Sequence, residues 1–282
     1  MKFTVHAQGK INWSLSICGD RPDGYHNLDM LMQSIELSDV LTFESARFLT
    51  LNVNGQRLPG GDRNLVIRAA NALNDTMGKH FGARITLKKH IPARAGLGGG
   101  SADCAATLLA LNRLWNFNLP LKTLQQIGLS LGADVPFCLQ RGLCRAQGVG
   151  EILTPLENAP RIPLVMVTPG GGLSTPAVFK AWNEGGHPMT NVDTLALARA
   201  LNAGDWERAQ ALAHNDLEAP AISLMPQIGE LIERFRHLGA RFVRMTGSGS
   251  TVFAAFDSDE AALAAQAQVP GSILTHTTAA EG

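Results

Sequence analysis

The residues in this chain best suited to chemistry form a glycine-rich run. It reads Pro92-Ala93-Arg94-Ala95-Gly96-Leu97-Gly98-Gly99-Gly100-Ser101, followed by Ala102. Glycines let backbone amides come close to an anion, and a helix capped by Ser101 would add free N–H groups and a partial positive charge. Such a loop suits a polyphosphate. It is not a Walker loop, because no Gly-Lys-Ser/Thr ends it, and Gly96-x-Gly98-x-x-Ser101 lacks the third glycine of the dinucleotide fingerprint. A flexible strand-to-helix turn has the same composition, and the residues alone leave both readings open. A second glycine turn, Met245-Thr246-Gly247-Ser248-Gly249-Ser250, would bind an anion from another side or simply close a hairpin. Asp134, in Gly132-Ala133-Asp134-Val135-Pro136, reads first as a helix N-cap and second as a carboxylate able to accept a proton. Lys10 in a strand is, on composition alone, a solvated face residue.

These residues need elements to hold them. Apolar recurrence predicts strands at Lys10–Ile17 and Leu28–Ile35, separated by the polar turn Gly19–Gly24, and short strands at Val40–Phe43 and Leu49–Val53. Val66, Ala69, Ala70, Leu73 and Met77 mark one face of a helix that Asp62 would cap. A strand on Ile85 and Leu87 leads into the glycine run, and helices follow to about Trp115 and over Leu121–Leu131. Three prolines between Thr154 and Pro163 suggest a domain boundary, dividing the chain into 1–155 and 156–282. Beyond it come a strand at Leu164–Val167 and helices near 175–183, 192–202, 205–213 and 226–238. Strands at Arg241–Met245 and Thr251–Phe256, a helix capped by Ser258 and a strand near Ile273 complete the pattern. Strands and helices mix without regular alternation, which reads as α+β in two domains.

Composition narrows the function. With 45% hydrophobic and 17% charged residues, the 282-residue chain has the material for a core in each domain. Lys+Arg 24 balances Asp+Glu 24, which argues against nucleic acid as a partner. No apolar run approaches the roughly 20 residues of a membrane-spanning helix. His6, Gln8, Lys10 and Asn12 interrupt the N-terminal region, so no secretory h-region is expected and the location implied is cytoplasmic. Cys18, Cys104, Cys138 and Cys144 lack zinc-site spacing and read as buried free thiols. No metal held by the protein is expected.

Taken in order, Lys10-Ile11-Asn12, Pro92–Ala102 and Gly247-Ser248-Gly249 resemble the three motifs of the GHMP small-molecule kinases. Arg21-Pro-Asp-Gly24-Tyr25-His26, Leu131-Gly-Ala-Asp134-Val-Pro136 and Gly148-Val-Gly150-Glu151 are similar to the branch that phosphorylates a cytidine-diphosphate-linked sugar alcohol on the non-mevalonate isoprenoid route. One departure stands beside Lys10, where Gln8-Gly9 replaces the family's usual Pro-Ala. The resemblance implies a ribosomal-S5-domain-2-like N-terminal domain joined to a ferredoxin-like C-terminal domain. It implies ATP with Mg2+ as phosphoryl donor, its phosphates on Pro92–Ala102 and Gly247 and its adenine near Asn64. It further implies Lys10 and Asp134 as the catalytic pair, Asn12 beside them on the same strand face, and Tyr25, His26 and Phe179 around the cytosine. Phe179 reads equally well as core packing next to Val178. A homoserine or mevalonate acceptor is the alternative within the family, and a small molecule, with the protein as a monomer or weak homodimer, is the expected partner.

Overall fold

The computed structural model describes residues 1–55, 61–190 and 192–280, the side chain of Asp62 excepted. The fold is α+β with two sheets. Two long strands, β1 (Lys2–Asp20) and β2 (His26–Ala46), pair with each other and contribute residues to both of two compact units. The first unit comprises Met1–Gly9, Leu37–Pro92 and Gly98–Gln140; the second comprises Lys10–Glu36, Ala93–Leu97 and Arg141–Gly282. Among the described residues no helix is long and apolar enough to cross a membrane.

In the first unit the C-terminal half of β2 pairs antiparallel with β4 (Gly82–Lys88), placing Phe43 opposite Ile85, and β3 (Thr50–Asn54) runs parallel to β4. Four helices belong to this unit: α1 (Leu65–Met77), α2 (Gly99–Leu114), α3 (Leu121–Leu131) and α4 (Val135–Gln140). The apolar face read from Val66, Ala69, Ala70 and Leu73 is buried, as a 3.6-residue period requires. Helix α2 is buried over an unbroken run from Ala102 to Leu108, and its small residues let α1 pack closely against it. The caps differ from expectation. Asn64, not Asp62, caps α1, its Oδ1 accepting the Val66 N–H at 3.0 Å, because Asp62 lies in the preceding 3-10 turn Gly61–Arg63. Gly98, not Ser101, is the N-cap of α2, since the left-handed backbone at Gly98 (φ 67°) starts the helix three residues earlier.

In the second unit the N-terminal half of β2 pairs with β5 (Leu143–Gly148), and β6 (Ile152–Leu156) pairs with β5. The sequence reading left this hairpin out and took Thr154 onward as linker. Pro155 lies on β6, which has one neighbour and therefore tolerates a residue that donates no ladder bond. The second sheet is antiparallel, ordered β10 (Ile273–His276), β7 (Pro163–Val167), β9 (Val252–Ala255), β8 (Phe242–Met245). Helices α5 (Thr175–Glu184), α6 (Thr194–Ala203), α7 (Trp206–Leu212), α8 (Glu218–Leu224), α9 (Gln227–His237) and α10 (Asp259–Gln266) accompany it. Ser258 caps α10 as expected, accepting from Ala261 N–H at 3.2 Å. Helix α8 escaped the sequence reading because Pro220 falls within it; in the first turn of a helix a missing N–H is harmless. The core centres on Trp13, whose ring meets Phe242 and Phe253 edge-on and whose Nε1 donates to Gln33 Oε1 at 2.8 Å. Cys104, Cys138 and Cys144 are buried, but Cys18, near the end of β1, is exposed.

The first unit also holds a buried ionic triad. The Lys89 ammonium donates to Asp39 on β2 and, at 2.8 Å, to Asp103 on α2, and the other Asp39 oxygen accepts from the backbone of His90 and Ile91. The second Asp103 oxygen is buried with no hydrogen-bond partner among the described residues. Burial, opposed by Lys89 and reinforced by Asp39, pushes the Asp103 carboxyl up to about 7. Folded Asp103 thus keeps its proton where the unfolded chain has released it, and its contribution to stability falls as pH rises from the ordinary carboxylate range through about 7. Asp103→Asn is expected to flatten that part of the stability curve. Thermal unfolding between pH 5 and 8 checks this, and a variant whose Tm tracks pH in parallel with the parent contradicts it.

Candidate active site

In the second unit the site is built on β1. Strand alternation puts Lys10 and Asn12 on one face, and both are buried, 4% and 2% exposed. The Lys10 ammonium donates to Asn12 Oδ1 at 2.6 Å, and the Asn12 N–H donates to Thr246 Oγ1 at 2.9 Å. The segment Ala93–Leu97 is stitched to the same elements, Leu97 O accepting from Lys10 N–H at 3.0 Å and Ala95 O from Thr251 N–H at 3.2 Å. Gly96 has φ +77°, and a Cβ there would stand 2.3 Å from Thr246 O. Gly247 has φ +57°, and its Cβ would stand 3.3 Å from both Lys10 Nζ and Gly96 O. Gly96 admits no side chain, and one at Gly247 would be strained by its φ and crowd its neighbours. Lys10, Asn12, Gly96 and Gly247 therefore converge, and the reading of Lys10 as a solvated face residue is corrected. The Gly170–Gly172 run also gains a reason, since a Cβ on Gly172 would meet Arg94 O at 2.4 Å.

The sequence reading missed the segment that braces this cluster, His214-Asn215-Asp216-Leu217-Glu218. Asn215 Nδ2 donates to Met245 O and Gly247 O, both at 2.9 Å, and its Oδ1 accepts from Leu217 N–H. The Asp216 carboxylate accepts from Ile17 N–H at 2.6 Å, from Thr190 and from His214, which keeps it ionised below the usual carboxylate range against the opposing effect of burial. Glu218 accepts from Met245 N–H at 2.8 Å. A run of short polar residues between helices was the available signal, but it is indistinguishable from a loop until its partners are known.

A second group in this unit surrounds His26, the first residue of β2. Its ring lies flat on Phe179 of α5 (centroids 5.4 Å, interplanar angle 12°) and meets Trp182 edge-on at 5.3 Å. His26 Nδ1 bonds Asp20 Oδ1 at 2.9 Å. Tyr25 sits beside it at the end of a turn closed by Arg21 N–H to Tyr25 O at 3.0 Å, and is 64% exposed. The structure thus brings His26 and Phe179 together. Trp182 and Asp20 were not foreseen.

The first unit carries the other residues. The N–H groups of Gly99, Gly100 and Ser101 precede the first bond of α2, which runs from Ala102 N–H to Gly98 O at 2.8 Å. They are the orphan donors of a helix start. A Cβ on Gly99 would lie 3.0 Å from Ile91 and 3.4 Å from Lys89 Nζ, so the ionic triad abuts this turn. Pro92 precedes the glycines, Ala102 is buried, Asn64 is occupied as the cap of α1, and Asp134 stands immediately before α4. Among the described residues no three His, Cys, Asp or Glu side chains gather as a metal site.

Truncating Asn215 to Ala would strip Gly247 O and Met245 O of a partner, at about 1–3 kcal/mol for each buried group left unpaired. Asn215→Ala is expected to lower Tm by several degrees and to loosen the Gly247 turn, seen as faster amide exchange at residues 246–249. Unchanged exchange there would show that the turn holds itself.

The family model "GHMP kinases N terminal domain" matches residues 64–142, and "GHMP kinases C terminal" matches 197–272. A 4-diphosphocytidyl-2-C-methyl-D-erythritol kinase of Pelotomaculum thermopropionicum is 44% identical over 90% of this chain and 88% of its own length. Its counterpart from Moorella thermoacetica is 42% identical over 98% and 99%. A crystal structure of 4-(cytidine 5'-diphospho)-2C-methyl-D-erythritol kinase superposes with TM-score 0.85 at 35% identity, covering 99% of this chain and 100% of that one. Homoserine kinase from Cytophaga hutchinsonii, 19% identical with TM-score 0.73 over 99% of this chain and 95% of that one, shares the fold. The chain belongs to the 4-diphosphocytidyl-2-C-methyl-D-erythritol kinase family of the GHMP kinases.

Proposed function

We propose that the protein transfers the γ-phosphoryl group of ATP to the 2-hydroxyl of 4-diphosphocytidyl-2-C-methyl-D-erythritol, on the non-mevalonate route to isoprenoid precursors. The observation that carries the reading is Lys10, buried with Asn12 against Gly96 and Gly247, in a chain that matches such kinases over nearly its whole length. In this reading Asp134 accepts the hydroxyl proton and Lys10 stabilises the developing alkoxide, with Asn12 holding the ammonium in place. The two residues come from different units, and their pairing rests on the family resemblance.

Gly96 and Gly247, where a Cβ would clash or crowd its neighbours, and the free N–H groups of Gly99, Gly100 and Ser101 suit the phosphates of ATP. Pro92, Ala93, Arg94, Ala95, Leu97, Gly98 and Ala102 complete the loop, and Asn64 stands toward the adenine. Mg2+ bound to the phosphates supplies further charge neutralisation. Tyr25 and Phe179 wall the cytosine and His26 reads its edge. The division near residue 155 lies between the spans of the two family models and remains our domain boundary. A cytoplasmic monomer or weak homodimer without nucleic-acid partners completes the proposal.

Incubation with ATP, Mg2+ and the diphosphocytidyl alcohol is expected to release ADP and yield a new phosphomonoester, with homoserine and mevalonate inert. Turnover of either control in preference to the alcohol would refute the acceptor. Asp134→Asn is expected to lower kcat on the order of 10²–10⁴ with ATP affinity nearly unchanged. Lys10→Met should behave alike, and the double variant should lose less than the sum. A tenfold loss or less in Asp134→Asn, with lowered Tm, would assign Asp134 to capping α4 instead. Tyr25→Ala is expected to lower kcat/KM for the acceptor about 5- to 150-fold, the worth of one stacked base, while KM for ATP stays put. Equal weakening of both substrates would make Tyr25 scaffold.

A further inference from the structure

The turn between β1 and β2 folds Asp20 back on His26. Asp20 Oδ1 lies 2.9 Å from His26 Nδ1, and a carboxylate only accepts hydrogen bonds, so Nδ1 carries the proton. In the neutral ring Nε2 is then an acceptor. Nε2 has no partner among the described residues and is not one of the buried unpartnered atoms, so it is open to solvent or ligand. The ring itself is fixed. Phe179 covers one face at 12°, Trp182 meets it edge-on at 71°, and the side chain is only 9% exposed, whereas Asp20 is 73% exposed. The result is a lone pair with a set direction at the rim of a rigid aromatic group.

We propose that Asp20 is a positioning residue that holds His26 in its Nδ1–H form, so that Nε2 selects a pyrimidine with an exocyclic amino group and rejects one with a carbonyl there. Cytosine offers N–H at that position; uracil offers an oxygen, and two facing lone pairs repel. A buried or rigid acceptor left facing a carbonyl is how sites reject near-isosteres. The inference rests on the cytidine site proposed above and names the atom that makes the choice. Without Asp20 the ring is free to move its proton to Nε2, and the preference for the amino group weakens.

Two measurements test it. Long-range 1H–15N correlation spectra of protein labelled at histidine nitrogen read the His26 form with no substrate present. The unaltered protein is expected to show protonated Nδ1, and Asp20→Ala a shift toward protonated Nε2; protonated Nε2 in the unaltered protein would overturn the proposal. The second is the ratio of kcat/KM for cytidine- and uridine-linked acceptors, expected to fall tenfold or more in Asp20→Ala. Asp20→Asn, whose Oδ1 still accepts from Nδ1–H, is expected to restore most of it. Full discrimination in Asp20→Ala overturns the role of Asp20 alone. Equal use of both acceptors by the unaltered protein overturns the cytidine site on which the inference stands.

Discussion

An ammonium taken out of water has to be held by oxygens in fixed places, and the second unit is organised around that requirement at Lys10. Leaving such a charge uncompensated costs several kcal/mol. Asn12, two residues on along the same strand face, supplies one oxygen, and the backbone supplies the frame. Gly247 fits the same need: a Cβ there would stand 3.3 Å from the ammonium and 3.4 Å from Asn12 Oδ1, so a side chain would crowd the pair. What suits a buried cation also suits the task proposed for Lys10, because a charge kept at low dielectric acts strongly on any negative charge that develops beside it.

The glycine turn is held by residues whose contribution is backbone satisfaction. Asn215 spends both of its amide hydrogens on Met245 O and Gly247 O, and Glu218 accepts the Met245 N–H. Asp216 and its neighbours tie the same segment to β1 at Leu15 and Ile17. The segment from His214 to Glu218 thus links the strand that carries Lys10 to the turn that closes over it. In the first unit the Lys89 triad has the corresponding part: it binds β2, the chain after β4 and α2 at the point where the first turn of α2 offers its free N–H groups. Lys89, held between Asp39 and Asp103, is structural in character.

How much of this was legible depends on whether the determinant was local. The amphipathic face of α1, the Ser258 cap and the strand positions of the second sheet follow from short-range pattern and were read correctly. The glycine loops were visible because a Cβ-free run is rare, although which atoms forbid the Cβ is a long-range fact. Composition alone makes Lys10 a solvated face residue, yet it is buried, and so are Asn12, Ser14 and Ser16. A strand covered on both sides, with small polar residues on one, was the clue. Helix starts at Asn64 and Gly98 were displaced by two or three residues because capping competes among neighbouring polar groups and only backbone geometry decides it. Pro155 was read as part of a boundary, though an edge strand tolerates proline.

In the proposed cytidine site, recognition has two physical parts. His26 is held by Asp20, Phe179 and Trp182, so a hydrogen bond from it to a base would cost little ordering and would discriminate sharply. Tyr25 is largely exposed, and stacking on a base would restrict its rotamers and bury its ring together. Affinity gained there is offset by that ordering, and it is insensitive to which base is present, because every base has a face. On the proposed reading, selection belongs to the fixed imidazole and adhesion to the exposed phenol. The reacting alcohol is small, so the binding energy that aligns it has to come from this remote group. A rigid acceptor is the better place to distinguish ligands, since an error there leaves two lone pairs opposed with no freedom to turn away.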